Sequence, residues 1–170
     1  MCDWQKESGF SLVELMVVIG ITAILLSIGT LNFSSWQRKS QIERQAREML
    51  ADFNSARSES IFRKKRHSIV LNSTATGYVF KRYSSENENR TTGGSVLFTK
   101  TSSYQYAKEA GASAADQIFQ FDILGFNATP ADLDTIRINP VDSGAAFDCL
   151  VISASRTNIG KMEGGSCVQK

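Results

Sequence analysis

Glu14 is the only ionisable side chain between Phe10 and Arg38. It sits inside the run FSLVELMVVIGITAILLSIGTL, residues 10–31. A charged side chain in hydrocarbon costs about 2.5–3.5 kcal/mol on insertion scales, so Glu14 requires a partner or a functional reason. Just before the run, Ser8-Gly9-Phe10-Ser11-Leu12-Val13-Glu14-Leu15 joins a polar leader to the apolar segment at Gly9. Cleavage after Gly9 would expose a new amine on Phe10, a cation able to neutralise Glu14. The chemistry suggested is processing followed by charge pairing.

Other groups point to weaker chemistry. Cys2 lies in the leader, leaving Cys149 and Cys167 as an even pair near the C-terminus. In an exported domain such a pair suggests a disulfide; two unrelated buried thiols are the alternative. Two cysteines with a single histidine, His67, do not make a zinc site. His67 lacks a paired acid and a nucleophile, which argues against catalysis. Arg63-Lys64-Lys65-Arg66 reads either as a polyanion site or as cations gathered at a helix end, where each gains about 0.3–1 kcal/mol from the helix dipole. Asp122, Asp132, Asp134, Asp142 and Asp148 are scattered, without the spaced loop that calcium needs. Tyr78, Phe80, Tyr83, Phe98, Tyr104 and Tyr106 could stack nucleic-acid bases, but filling a sheet core is the commoner use. Metal and cofactor are therefore expected to be absent, and the protein is read as no enzyme.

The elements that hold these residues follow from periodicity. As a helix, residues 10–31 would extend roughly 33 Å, enough for a bilayer core, with Trp36 at the interface. A conventional signal peptide, cut near Ser27-Ile28-Gly29, is the rival; Asp3, Lys6 and Glu7 do not make the cationic start it needs. Arg38, Lys39, Arg44 and Arg47 outnumber Lys6 across the run, and by the positive-inside rule alone they would place the C-terminal part in the cytoplasm. The cysteine pair argues for the opposite side.

Beyond the run, residues 36–66 hold no proline or glycine, and Ile42, Ala46, Met49, Leu50, Phe53, Ala56 and Ile61 recur at helical spacing. After His67 the pattern turns to strands, expected at residues 68–71, 78–83, 96–98, 118–123, 135–138 and 147–152. Residues 86–94, 108–116 and 127–134 read as loops or turns. The fold class expected is α+β: a long N-terminal helix, transmembrane in its first half and amphipathic in its second, packed against antiparallel sheet. Loss of the leader takes 19 basic and 17 acidic side chains to 18 and 15, a side-chain charge of +3 that neither demands nor excludes an anionic partner.

Gly9-Phe10-Ser11-Leu12-Val13-Glu14-Leu15 resembles the processing site of type IV pilins and type II secretion pseudopilins. The resemblance implies a prepilin peptidase that cuts after Gly9 and methylates the Phe10 amine, with Glu14 pairing to the amine of a neighbouring subunit during assembly. Gln45-Ala46-Arg47 and Ala51-Asp52-Phe53-Asn54-Ser55-Ala56-Arg57-Ser58-Glu59-Ser60-Ile61 are similar to the helix of the GspH/FimT family of minor pilins and pseudopilins. The ending from Leu150 to Cys167 fits that family too. Unlike many pilins, this chain has no proline in the apolar helix; both prolines, Pro130 and Pro140, lie later.

The organisation implied is a leader at 1–9, a transmembrane and assembly helix at 10–33, and a periplasmic pilin-like domain at 34–170 that includes the helix to about residue 66. Expected partners are other pilins or pseudopilins, the prepilin peptidase, the inner membrane and an exported protein substrate. Some FimT-type proteins bind DNA through Gly-Arg-x-Arg. Here the nearest match is Gly160-Lys161-Met162-Glu163, where Glu163 would repel phosphate; Arg156 and Lys161 are the contacts a DNA-receptor reading would use.

Overall fold

The computed structural model describes residues 9–127 and 134–170, and for residues 28–32 and 142 the backbone alone. The expected leader up to Ser8, and the expected turn around Pro130 and Asp132, lie outside the described residues. The chain divides into two compact units, one ending at Gln37 and the other running Arg38–Lys170.

Helix α1 runs Leu12–Arg63. Glu14 in its first turn and Arg63 in its last both suit the helix dipole. Lys64 ends it by entering the left-handed region, φ 52°. In the second unit α1 buries one stripe: Ile42, Ala46, Met49, Phe53, Ala56 and Ser60. Steps of four and three keep these on one face. The stripe closes on Ser60, whose hydroxyl donates to the Ala56 carbonyl at 2.8 Å, and not on Ile61, which is exposed. Ile61 is one position past the stripe and so rotates off it.

Nine strands follow: β1 His67–Leu71, β2 Gly77–Arg82, β3 Ser95–Thr101, β4 Tyr106–Lys108, β5 Ile118–Phe121, β6 Asp134–Ile138, β7 Cys149–Ile152, β8 Thr157–Glu163 and β9 Ser166–Gln169. They form two antiparallel sheets, β3-β2-β1-β5 and β4-β6-β7-β8-β9. The α+β class is thus observed, with two sheets. Ile69, Leu71, Phe80, Phe119 and Phe121 of the first sheet share a core with Tyr106, Ile136, Ile138, Leu150 and Ile152 of the second and with the stripe of α1. Phe53 sits edge-on to Phe119 and Phe121, centroids 5.2 and 6.1 Å away.

The six expected strands correspond to β1, β2, β3, β5, β6 and β7 with shifted ends. The alternating pattern does not mark β4, β8 or β9. Lys108, expected to open a loop, is the last residue of β4.

Polar side chains of α1 bind the connections. Gln45 both donates to the Tyr104 carbonyl, 2.8 Å, and accepts from the Tyr104 amide, 3.1 Å. Glu43 accepts from the Ala146 amide at 2.8 Å, and Arg47 lies 5.2 Å from the centre of the Phe147 ring.

Candidate functional site

At the start of the described chain, Gly9, Phe10 and Ser11 precede the first helical residue, Leu12. The Leu15 amide donates to the Ser11 carbonyl at 3.1 Å, closing the first turn. Ser11 and Glu14 hold the spacing of a capping box, yet neither reciprocal side-chain bond is formed among the described residues. No cation among them pairs with Glu14, which is exposed. Phe10 is 80% exposed. A side chain at Gly9 would meet nothing within 4 Å, so no packing among the described residues calls for glycine there.

The apolar residues that follow are uncovered on every side. Leu12, Val13, Leu15, Met16, Val17 and Val18 are all exposed, as are Ile24, Leu25 and Leu26 further on. A helix apolar all round belongs in a core, among other helices or in lipid. Among the described residues no helix is long and apolar enough to cross a membrane. The continuous apolar stretch with described side chains, residues 12–27, spans roughly 24 Å at 1.5 Å per residue, against a hydrocarbon core of about 30 Å.

At the other end, Cys149 on β7 is bonded to Cys167 on β9, with Cα atoms 6.1 Å apart. Strands two apart in a flat sheet would be roughly 9.5 Å apart, so β8, between them, must curl. Gly160 is where it does. It pairs with Cys149 on one side and Gln169 on the other. A Cβ on Gly160 would lie 2.5 Å from the Val168 carbonyl oxygen and 2.8 Å from the Cys167 sulfur. Gly160 therefore serves the crosslink. Glu163 pairs with Lys170 at 3.0 Å. Arg156 is exposed in the β7–β8 turn and Lys161 is half-buried on β8; the five-position step from one to the other amounts to about 16 Å of strand.

The basic run ends α1 and ties down a loop. Arg63 pairs with Glu59. Arg66 donates to the Ser85 and Glu88 carbonyls at 3.0 and 2.6 Å and lies over the Tyr83 ring. His67 is fully buried, its Nδ1 2.9 Å from the Lys65 carbonyl. Burial, the largest influence, pushes its pKa down; the Lys65 hydrogen bond opposes this.

Tyr78, singled out above only as an aromatic, forms a polar lock on the helix with Asp52 and Lys100. The buried Tyr78 hydroxyl donates to Asp52 at 2.5 Å, and Lys100 adds an ion pair to Asp52 at 3.0 Å. Burial, then the bond to Asp52, raises the Tyr78 pKa far above that of free tyrosine. Only the three-dimensional approach of β2 to α1 reveals this lock; no local spacing encodes it.

Three of the aspartates serve turns and strands. Asp122 accepts from the Leu124 and Phe126 amides, Asp134 from Gln117, and Asp148 from the Met162 amide. Among the described residues no cluster of three potential ligands could hold a metal. Tyr78, Phe80, Tyr83 and Tyr106 are buried, and Tyr104 is half-buried, while Phe98 is exposed.

No curated protein and no solved structure shows significant similarity to this chain. The model of the prokaryotic N-terminal methylation motif matches residues 4–30, so the chain carries a type IV pilin-like prepilin motif over the segment that holds Gly9, Phe10 and Glu14.

Proposed function

We propose that this protein is a minor pilin or pseudopilin of the GspH/FimT kind, a structural subunit of a type II secretion pseudopilus or a type IV pilus. It acts in protein secretion or filament assembly and has no catalytic activity of its own. The observation that carries the reading is an uncovered apolar stretch whose single carboxylate, Glu14, has no partner among the described residues, within the segment matched by the methylation motif.

The roles follow from the chemistry. Prepilin peptidase cuts after Gly9 and methylates the Phe10 amine. The absence, among the described residues, of a packing reason for glycine at position 9 fits a requirement set by the peptidase. Residues 10–33 then anchor the chain in the inner membrane, with the leader in the cytoplasm and residues 34–170 in the periplasm. On assembly the helix leaves lipid for other pilin helices, and Glu14 meets the Phe10 amine of a neighbour. The modest gap between the described apolar stretch and a full bilayer core would be filled by residues 28–33. Other pilins are the partners, and exported protein is met by the Arg38–Lys170 unit.

Mass spectrometry of the protein from cells with an active peptidase tests the processing step. A chain beginning at N-methylated Phe10 is expected; an intact Met1 would overturn it. The DNA-receptor reading, resting on Arg156 and Lys161, is disfavoured: Gly160 is occupied with the disulfide and Glu163 stands beside Lys161 with its own partner, Lys170.

A further inference from the structure

We infer that the free edge of β3, together with the cleft beside it, binds an extended acidic and apolar strand supplied by another protein. The site lies in the Arg38–Lys170 unit and does not depend on the reading of the N-terminal helix.

Strand β3 is terminal in the order β3-β2-β1-β5. Along its outer side the backbone N–H and C=O groups have no strand partner among the described residues. Exposed edges of this kind are normally blunted by charge, proline or brevity. β3 is seven residues long and carries Lys100 as its only charge. Lys100 does not guard the edge, because Asp52 and Glu48 on α1 hold its amine at 3.0 and 3.7 Å. Val96, Leu97 and Phe98 remain exposed at 56, 44 and 41%.

The edge also carries a side-chain pocket. Phe98 pairs with Phe80 and Val96 with Lys81, so Leu97 is the extra residue of a bulge. Both Leu97 and Phe98 consequently line a cleft of about 220 Å³ between the sheet and α1, with Phe80 among its apolar residues and Glu59, Arg63 and Arg82 among its charged ones. Phe98 stacks on Phe80, centroids 5.0 Å apart. Glu59 is paired to Arg63, whereas Arg82 has no carboxylate partner among the described residues. The cleft is apolar with a net positive rim.

These features define the occupant. The unpaired ladder fixes its backbone as a β-strand, added to the sheet through main-chain hydrogen bonds. The cleft takes one apolar side chain. Arg82 calls for a carboxylate two positions along, since alternate residues of a strand share a face. A second copy of β3 does not qualify, because residues 95–101 contain no acid.

The test uses the full chain in detergent and a capped, fluorescent eight-residue peptide in which valine alternates with threonine, with one glutamate two positions from a central phenylalanine. Saturable binding, with new hydrogen-exchange protection confined to β3 amides, is expected. A peptide with lysine in place of the glutamate should bind about tenfold more weakly, and Arg82→Glu should reverse that preference. A peptide N-methylated along one backbone edge, in the phase that faces β3, should not bind. Equal binding of all peptides, or no saturable binding up to millimolar peptide, would overturn the inference. Intact unfolding behaviour of Arg82→Glu guards against a trivial loss, and the peptide series on the unaltered protein decides the matter without any variant.

Discussion

Glu14, Asp52 and His67 are three ionisable side chains with three different solutions to the cost of losing water. Asp52 is solved within the chain, by the Tyr78 hydroxyl and the Lys100 amine. Asp52→Ala would leave the buried Tyr78 hydroxyl without its acceptor, a loss of about 1–3 kcal/mol, read from denaturant unfolding of the detergent-solubilised protein. Tyr78→Phe removes the donor instead and should cost less, about 1 kcal/mol, because Lys100 still neutralises the acid. His67 is solved by staying neutral. Its pKa is held below the free value of 6.5, so the unfolded chain takes up a proton first as pH falls. Stability is full above about 6.5 and declines as pH drops through that value toward the lower folded pKa. Thermal unfolding between pH 7.5 and 5.5 should show this decline, and His67→Leu should flatten it. Glu14 has no partner among the described residues. That it stands out by composition alone, while Asp52 and Tyr78 do not, has a plain cause. A lone acid in an apolar run is visible locally, but the partners Asp52 and Tyr78 are 26 positions apart.

The helix and sheets were legible to different degrees for reasons that lie in their periods. The stripe of α1 is long and regular, so Ile42, Ala46, Met49, Phe53 and Ala56 declare themselves, and only its end at Ser60 is displaced by one position. The central strands β1 and β6, rich in branched residues, are legible in the same way. Strand β4 is too short to show a pattern. Strand β8, TNIGKME, interrupts any alternation with a glycine and two charges, and it is defined by the neighbours on either side. The crosslink explains its glycine. Gly160→Val would push a side chain against Val168 and the Cys167 sulfur; peptide mapping should then find reduced Cys149 and Cys167 in a fraction of molecules. Replacing both cysteines by serine should lower stability by about 3 kcal/mol if the chain-entropy account holds, again read from denaturant unfolding. A change well under 1 kcal/mol would mean that β9 is held by its ladder alone.

The molecule comprises a compact unit, Arg38–Lys170, and an N-terminal helical stretch whose described apolar side chains are exposed. The first buries its stripe under two sheets; the second, on the proposed reading, is covered by lipid before assembly and by neighbouring helices after it. Such a change of surroundings would keep apolar contacts favourable throughout, and in the proposed assembly the charge on Glu14 is what distinguishes the two states. Breaking one partner of a buried ion pair costs about 3–5 kcal/mol, more than a hundredfold in an association constant. The central claim is therefore tested most directly by crosslinking the Glu14→Gln protein to its companion pilins in cells and comparing the yield with that of the unaltered protein at equal expression. Near-complete loss of crosslinked assemblies, with processing at Gly9 unchanged, is the predicted result. Equal yield from the two proteins would contradict it.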